Sequence, residues 1–153
     1  MVNDLIRHIE IVRESSIIIG NILIEQGRQV LGHDVIRRGH AHDLSKFTGI
    51  ERLFLHQKKK VNKKNLELAI QQHVTTNDHH PEFFENGMDD MNEAQLIEWC
   101  CDVYARSAQF GTDLMEWVDN VAVKRFNIKN EQYELIVKYL KCLTSGKFIQ
   151  KRE

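Results

Sequence analysis

A single proline, Pro81, in 153 residues is the strongest constraint on this chain. Proline lacks an N–H and its ring clashes with the preceding turn, so it ends helices. A chain with only one can run in long helices on both sides of it. The hydrophobic pattern follows suit. Leu5, Ile9, Val12, Ser16, Ile19 and Leu23 recur at threes and fours, the period of a helix with one buried face. No stretch of any length alternates with strand period. The expected fold is all-α, a single compact bundle of about six or seven helices around one core.

Caps and turns divide the chain. Asn3 or Asp4 can cap a first helix running to about Val30 and stopping near Gly32. Asp34 can cap a second that carries Val35, Ile36 and the pair His42-Asp43. Gly39 inside it either weakens it or lets another backbone approach closely. Thr48 and Gly49 open a short segment with Leu53, Phe54 and Leu55. Lys58-Lys59-Lys60, with Lys63 and Lys64, reads as a solvated linker. A helix over Asn65 to Thr75 precedes the loop from Asn77 to Glu82, and Gly87 to Asp90 is a second turn. Asn92-Glu93-Ala94-Gln95 fits a capping box and opens a helix with Leu96, Trp99, Cys100, Val103 and Asp102. Thr112 or Asp113 caps a further helix through Leu114, Trp117, Val121 and Phe126, and Asn130 caps the last, which Gly146 ends. One domain over residues 1–146 and a frayed tail over 147–153 are expected.

A net charge of −1 supplies no basic field for nucleic acid. Cys100, Cys101 and Cys142 form no CxxC, so a disulfide framework or cysteine zinc site is not indicated, and a cytoplasmic location fits. The apolar run from Ile17 to Ile24 is short and contains Asn21, so no membrane span is expected. Histidine stands out, with eight residues. His8 sits at the edge of the first apolar face. His42 and Asp43 are adjacent, where side chains on a helix diverge by about 100°, so one ion could be held only on the flank of that helix with ligands from elsewhere. His73 ends its helix, His79 and His80 follow in the loop, and Asp102 lies in a mostly apolar helix. Metal sites in bundles converge in this way from separate helices. Imidazoles and carboxylates suit Mn, Fe, Co, Ni or Zn. His33 and His40 flank the pair, with His33 in reserve for His8, and His56 stands beside the lysine run.

The order His8, His42-Asp43, His73, His79-His80, Asp102 resembles the HD-domain superfamily of metal-dependent phosphohydrolases over roughly residues 5–110. His42-Asp43-Leu44-Ser45-Lys46-Phe47, His79-His80-Pro81-Glu82 and Trp99-Cys100-Cys101-Asp102 resemble small bacterial and phage HD-like proteins more narrowly. The resemblance implies that His8, His42, Asp43 and Asp102 hold a first ion and that Asp43 bridges to a second, completed by His73 and one of His79 or His80. Lys46 and Arg106 would lie beside a phosphate. One or two ions would acidify water to a pKa of roughly 7 and polarise a phosphoryl oxygen. The activity implied is hydrolysis of a small phosphate ester, a nucleotide or nucleotide-derived signal. A di-iron oxygenase and a non-catalytic, metal-stabilised regulatory module are the alternatives. Between Ser45 and His73 the acids are Glu51 and Glu67, too far apart in sequence to suggest a separate general-acid pair.

Overall fold

A computed structural model of the chain describes residues 2–55 and 61–145. Lys58, Lys59, Lys60, His56, Gly146 and the tail 147–153 lie outside the described residues. The architecture is all-helical, with no strand among the described residues: α1 (Val2–Glu25), α2 (Gln29–Ala41), α3 (Gly49–Leu55), α4 (Lys63–Thr76), α5 (Glu93–Phe110), α6 (Leu114–Trp117), α7 (Val123–Arg125) and α8 (Asn130–Thr144). A π turn, Val118–Ala122, joins α6 to α7, and 3-10 turns cover Leu44–Phe47, Pro81–Phe83 and Gly87–Asp90.

The first helix is shorter than its periodicity suggests. It ends at Glu25 because Gly27 takes φ +84°, a left-handed conformation cheap only for glycine. Gly27 N–H donates to Ile24 O and Arg28 N–H to Leu23 O, the paired bonds of a Schellman stop. The apolar period runs on past this break because Leu31 and Val35 belong to the inner face of α2. Asp34 therefore lies inside α2 and does not cap it. Lys129 rather than Asn130 caps α8, its N–H donating to Gln132 Oε1 at 2.9 Å. The capping box at Asn92 and Gln95 forms as expected, and Asp113 caps α6.

α1 and α2 cross at glycines. A Cβ on Gly32 would stand 2.5 Å from Gly20 O, one on Gly20 2.7 Å from Gly32 O, and one on Gly39 2.3 Å from Ser16 Oγ. The close approach foreseen at Gly39 is thus what packs the second helix onto the first. α5 threads between α1, α2 and α8 and is buried continuously from Ala94 to Val103. Against it pack Ile19, Leu23, Ile136, Tyr139 and Leu140. α3 and α4 pair with each other beside this core, bringing Glu51 and His73 in from the side.

Candidate metal centre

α2 stops just short of the His-Asp pair. Ala41 is its last residue, His42 is extended at its end (φ −55°, ψ 131°), and Asp43 is left-handed (φ 57°, ψ 17°). The pair is therefore not on the flank of a helix, as the sequence reading had it. Two consecutive helical residues diverge. Breaking the helix here lets both side chains point at one spot, at a cost of roughly 1–2 kcal/mol for the left-handed aspartate. Both are buried, each 1% exposed.

The expected residues converge. His8, His42 and Asp102 offer ligand atoms that all lie within 4.8 Å of one another, and so do Asp43, His73, His79 and His80. In the first set, His8 Nε2 is 3.3 Å from His42 Nε2 and 3.0 Å from Asp102 Oδ1. Asp43 joins the two sets. Its Oδ2 is 3.4 Å from His42 Nε2 and 3.7 Å from His8 Nε2, while its Oδ1 is 3.2 Å from His73 Nε2 and 3.4 Å from His79 Nε2. Ligands on one ion, at bonds of about 2.0–2.2 Å, lie roughly 3–3.6 Å apart. The observed separations fall in or just beyond that range.

The protonation of the rings follows from their outer partners. His42 Nδ1–H donates to Glu98 Oε1 at 2.9 Å, His79 Nδ1–H to the same oxygen at 3.1 Å, and His73 Nδ1–H to Glu51 Oε1 at 2.6 Å. His8 Nδ1–H donates to Gln109 Oε1 at 3.0 Å, and that amide's own N–H is spent on Asp4 O. Four rings thus turn their Nε2 atoms inward, the arrangement that outer partners impose on metal-binding histidines. Facing Nε2 atoms need a cation between them: a proton, as on His42 in the ion-free chain, or a metal ion in its place. Apart from Arg13 Nε, the buried side-chain atoms without a hydrogen-bond partner among the described residues are Asp43 Oδ1, Asp102 Oδ1 and the Nε2 atoms of His73, His79 and His80. Each such orphan costs about 1–3 kcal/mol, which a bound ion would relieve. Among the described residues these groups could hold a metal ion.

Electrostatics keep the cluster charged without an ion. Burial disfavours charge on Asp43 and Asp102, but the imidazoles around them hold both well below the usual carboxylate range. Burial lowers the His42 pKa, and the carboxylates of Asp43, Glu98 and Asp102 outweigh it, holding the ring at about 10. Glu98, buried but bonded to two imidazoles, falls to about 2. Burial and the neighbouring His79 push His80 down to about 3, leaving a neutral ring.

The remaining expected residues sit around the cluster. Lys46 is buried, with Nζ 2.6 Å from Asp43 Oδ2. Arg106 is largely exposed, its Nε 3.8 Å from Asp102 Oδ1. Both line a cleft of about 520 Å³ whose lining also includes His8, His73, His80 and Asp102. Both His79 and His80 join the cluster, whereas His33 and His40 are exposed and outside it.

Three positioning groups were not foreseen: Glu98, Glu51 and Gln109. Glu98 also accepts from Arg38, whose guanidinium is paired with Asp78. A readable signal existed. Gln95, Glu98, Asp102, Arg106 and Gln109 recur at threes and fours, a polar stripe along an otherwise apolar helix. Glu51 left no comparable trace, because its partner His73 comes from another helix.

Similarity adds one fact to this geometry. Residues 1–144 match the DUF5662 family, a family of unknown function. The chain belongs to that family. No curated protein and no solved structure matches it. What this DUF5662 chain displays is thus a buried His/Asp cluster, part of which lines a cleft. No helix among its described residues is long and apolar enough to cross a membrane.

Proposed function

We propose that the chain is a metal-dependent phosphohydrolase acting on a small phosphate ester, with a nucleotide or nucleotide-derived signal favoured by the HD-domain resemblance. The observation that carries this reading is the division of Asp43, one oxygen toward His8 and His42 and the other toward His73 and His79. A carboxylate so placed suits two adjacent ions. When bound, divalent ions there would supply Lewis-acid stabilisation of a phosphoryl group and acidify water. The chain's own part is to orient and to balance charge. Lys46 and Arg106 line the same cleft, where a cation offsets negative charge growing on phosphoryl oxygens. Glu98 and Glu51 keep the rings aimed inward. Buried Cys100 and Cys101 remain free thiols, which accords with action in a reducing cytoplasm.

The test is metal analysis of protein purified without chelator, then phosphate release from a broad ester panel by chelated protein reloaded with Mn, Fe, Co, Ni or Zn. Metal-dependent release abolished by Asp43→Ala is expected. A fully loaded protein that hydrolyses nothing refutes the reading. The second donor set, three imidazoles and one carboxylate oxygen, also suits iron. A mixed-valent iron signal that changes on exposure to oxygen would favour an oxygenase.

A further inference from the structure

The cleft has two unlike linings. One is part of the ligand cluster, His8, His73, His80 and Asp102, and the other is aromatic, Trp99, Trp117 and Phe126. The ring centroids of Trp117 and Phe126 lie 6.2 and 6.0 Å from that of Trp99. Trp99 is fixed in the core, while Trp117 and Phe126 are half-buried. The aromatic lining depends on the π turn between α6 and α7. In a regular helix, at 3.6 residues per turn, Trp117 and Phe126 would point roughly 180° apart. The wider i→i+5 bonds of Val118–Ala122 use more residues per turn and remove part of that rotation. Single π turns inside helices occur frequently at functional sites.

Charge limits what can enter. Lys46 is bonded to Asp43, Arg106 stands beside Asp102, and Arg125 has its NH2 3.7 Å from Glu82 Oε1 and its guanidinium 5.0 Å from the Phe126 ring centroid. These three cations of the lining already face carboxylates. A triphosphate would bring several more negative charges past them. A single phosphoryl group brings fewer charges for the same cations and any bound ion to offset.

We propose that the cleft takes a phosphomonoester whose ester oxygen carries a flat, largely apolar body, seated against Trp99, Trp117 and Phe126. This names the substrate class within the phosphohydrolase reading and rests on it for the reaction, though not for the ligand. In that reaction a water oxygen forms a bond to phosphorus and the ester P–O bond breaks. The bonding pair stays on the alcohol oxygen, which takes up a proton, and inorganic phosphate is released.

The experiment has a binding arm and a turnover arm, both on the full metal-loaded chain. Binding of phenylphosphonate and methylphosphonate, which no ester hydrolysis can consume, is followed by tryptophan fluorescence. Phenylphosphonate should bind about tenfold more tightly, the size of one good aromatic contact. The difference should shrink to about twofold in Phe126→Leu, and likewise in Trp117→Leu if that variant folds. In turnover, phenyl phosphate should show a KM about tenfold below that of glycerol phosphate. A nucleoside monophosphate should be preferred over its triphosphate, and over bis(4-nitrophenyl) phosphate as a diester. Equal affinity for the two phosphonates, or preference for the triphosphate or diester, overturns the proposal. Selective phenylphosphonate binding without hydrolysis of any ester would sink the phosphohydrolase reading and leave the ligand class standing. Hydrolysis without selectivity would do the reverse.

Discussion

Glu98→Gln is the sharpest test of the centre, because the residue bonds to one ring of each donor set and also forms a third candidate group with those two rings. Its Oε1 accepts from His42 at 2.9 Å and from His79 at 3.1 Å, and its Oε2 accepts from Arg38 at 3.2 Å. A glutamine cannot replace all three bonds. If its oxygen faces the rings, its NH2 meets the Arg38 guanidinium, donor against donor. If it is turned over, the NH2 meets both Nδ1–H groups. The negative charge that keeps the rings basic is lost in either case. Removing such an outer partner typically costs 10–100-fold in metal affinity, or about 1.4–2.7 kcal/mol per ion. His42 stands with His8 and Asp102 and His79 with Asp43, His73 and His80, so if two ions bind, both binding steps should weaken. The assay is titration of chelated protein with Mn2+ or Zn2+ against a competing indicator. Circular dichroism in chelator checks the fold, and exposed Glu85→Gln serves as the control. Affinity within threefold of wild type at both steps, in a folded variant, would show that Glu98 does not position these rings.

Further outcomes follow from the same geometry. His80→Ala removes one candidate ligand from the second set and none from the first, so mass spectrometry under native conditions should find one ion fewer in the variant than in wild type. With the His42 pKa at about 10 in the absence of metal, ion binding at neutral pH must expel a proton. Calorimetry in buffers of different ionisation enthalpy should show proton release, and affinity should rise as pH rises toward 10. The same raised pKa makes a signed prediction for the chelated fold. Its contribution is fully present below the ordinary value of 6.5 and is lost as pH climbs through about 10. The Tm of chelated protein should therefore fall from pH 7 to pH 10, and that of loaded protein should fall less. Gly39→Ala forces a Cβ to within 2.3 Å of Ser16 Oγ. It should cost about 1–3 kcal/mol, a Tm drop of roughly 2–12 °C, and it should weaken metal binding by moving α2 off α1.

The all-helical class was legible because one proline and a persistent 3.6-residue period leave few alternatives. The residues that converge were legible because histidine and aspartate in apolar surroundings are conspicuous. The local backbone was harder. Nothing in His42-Asp43 itself marks a helix end, since aspartate adopts the left-handed conformation only where surrounding contacts hold it there. Gly27 was the visible stop for α1, but it was masked by apolar residues continuing in phase on α2. Glu98 was less legible because a glutamate one turn before Asp102 on an amphipathic helix is ordinarily a solvated residue. Glu51 could not have been found, because pairing between α3 and α4 is a tertiary fact.

The polar stripe on α5 has a consequence for how the centre comes into being. Gln95 reaches Asp78, Glu98 reaches His42 and His79, and Asp102 and Gln109 both reach His8. These contacts ride on one rigid rod, so they share its few mechanical freedoms. A slip of α5 by one residue is a rise of 1.5 Å with a turn of about 100°, which would take the whole stripe out of register at once. Docking of α5 into the core therefore sets Asp102 and the partners of His8, His42 and His79 together, while His73 and its partner Glu51 arrive separately on α4 and α3.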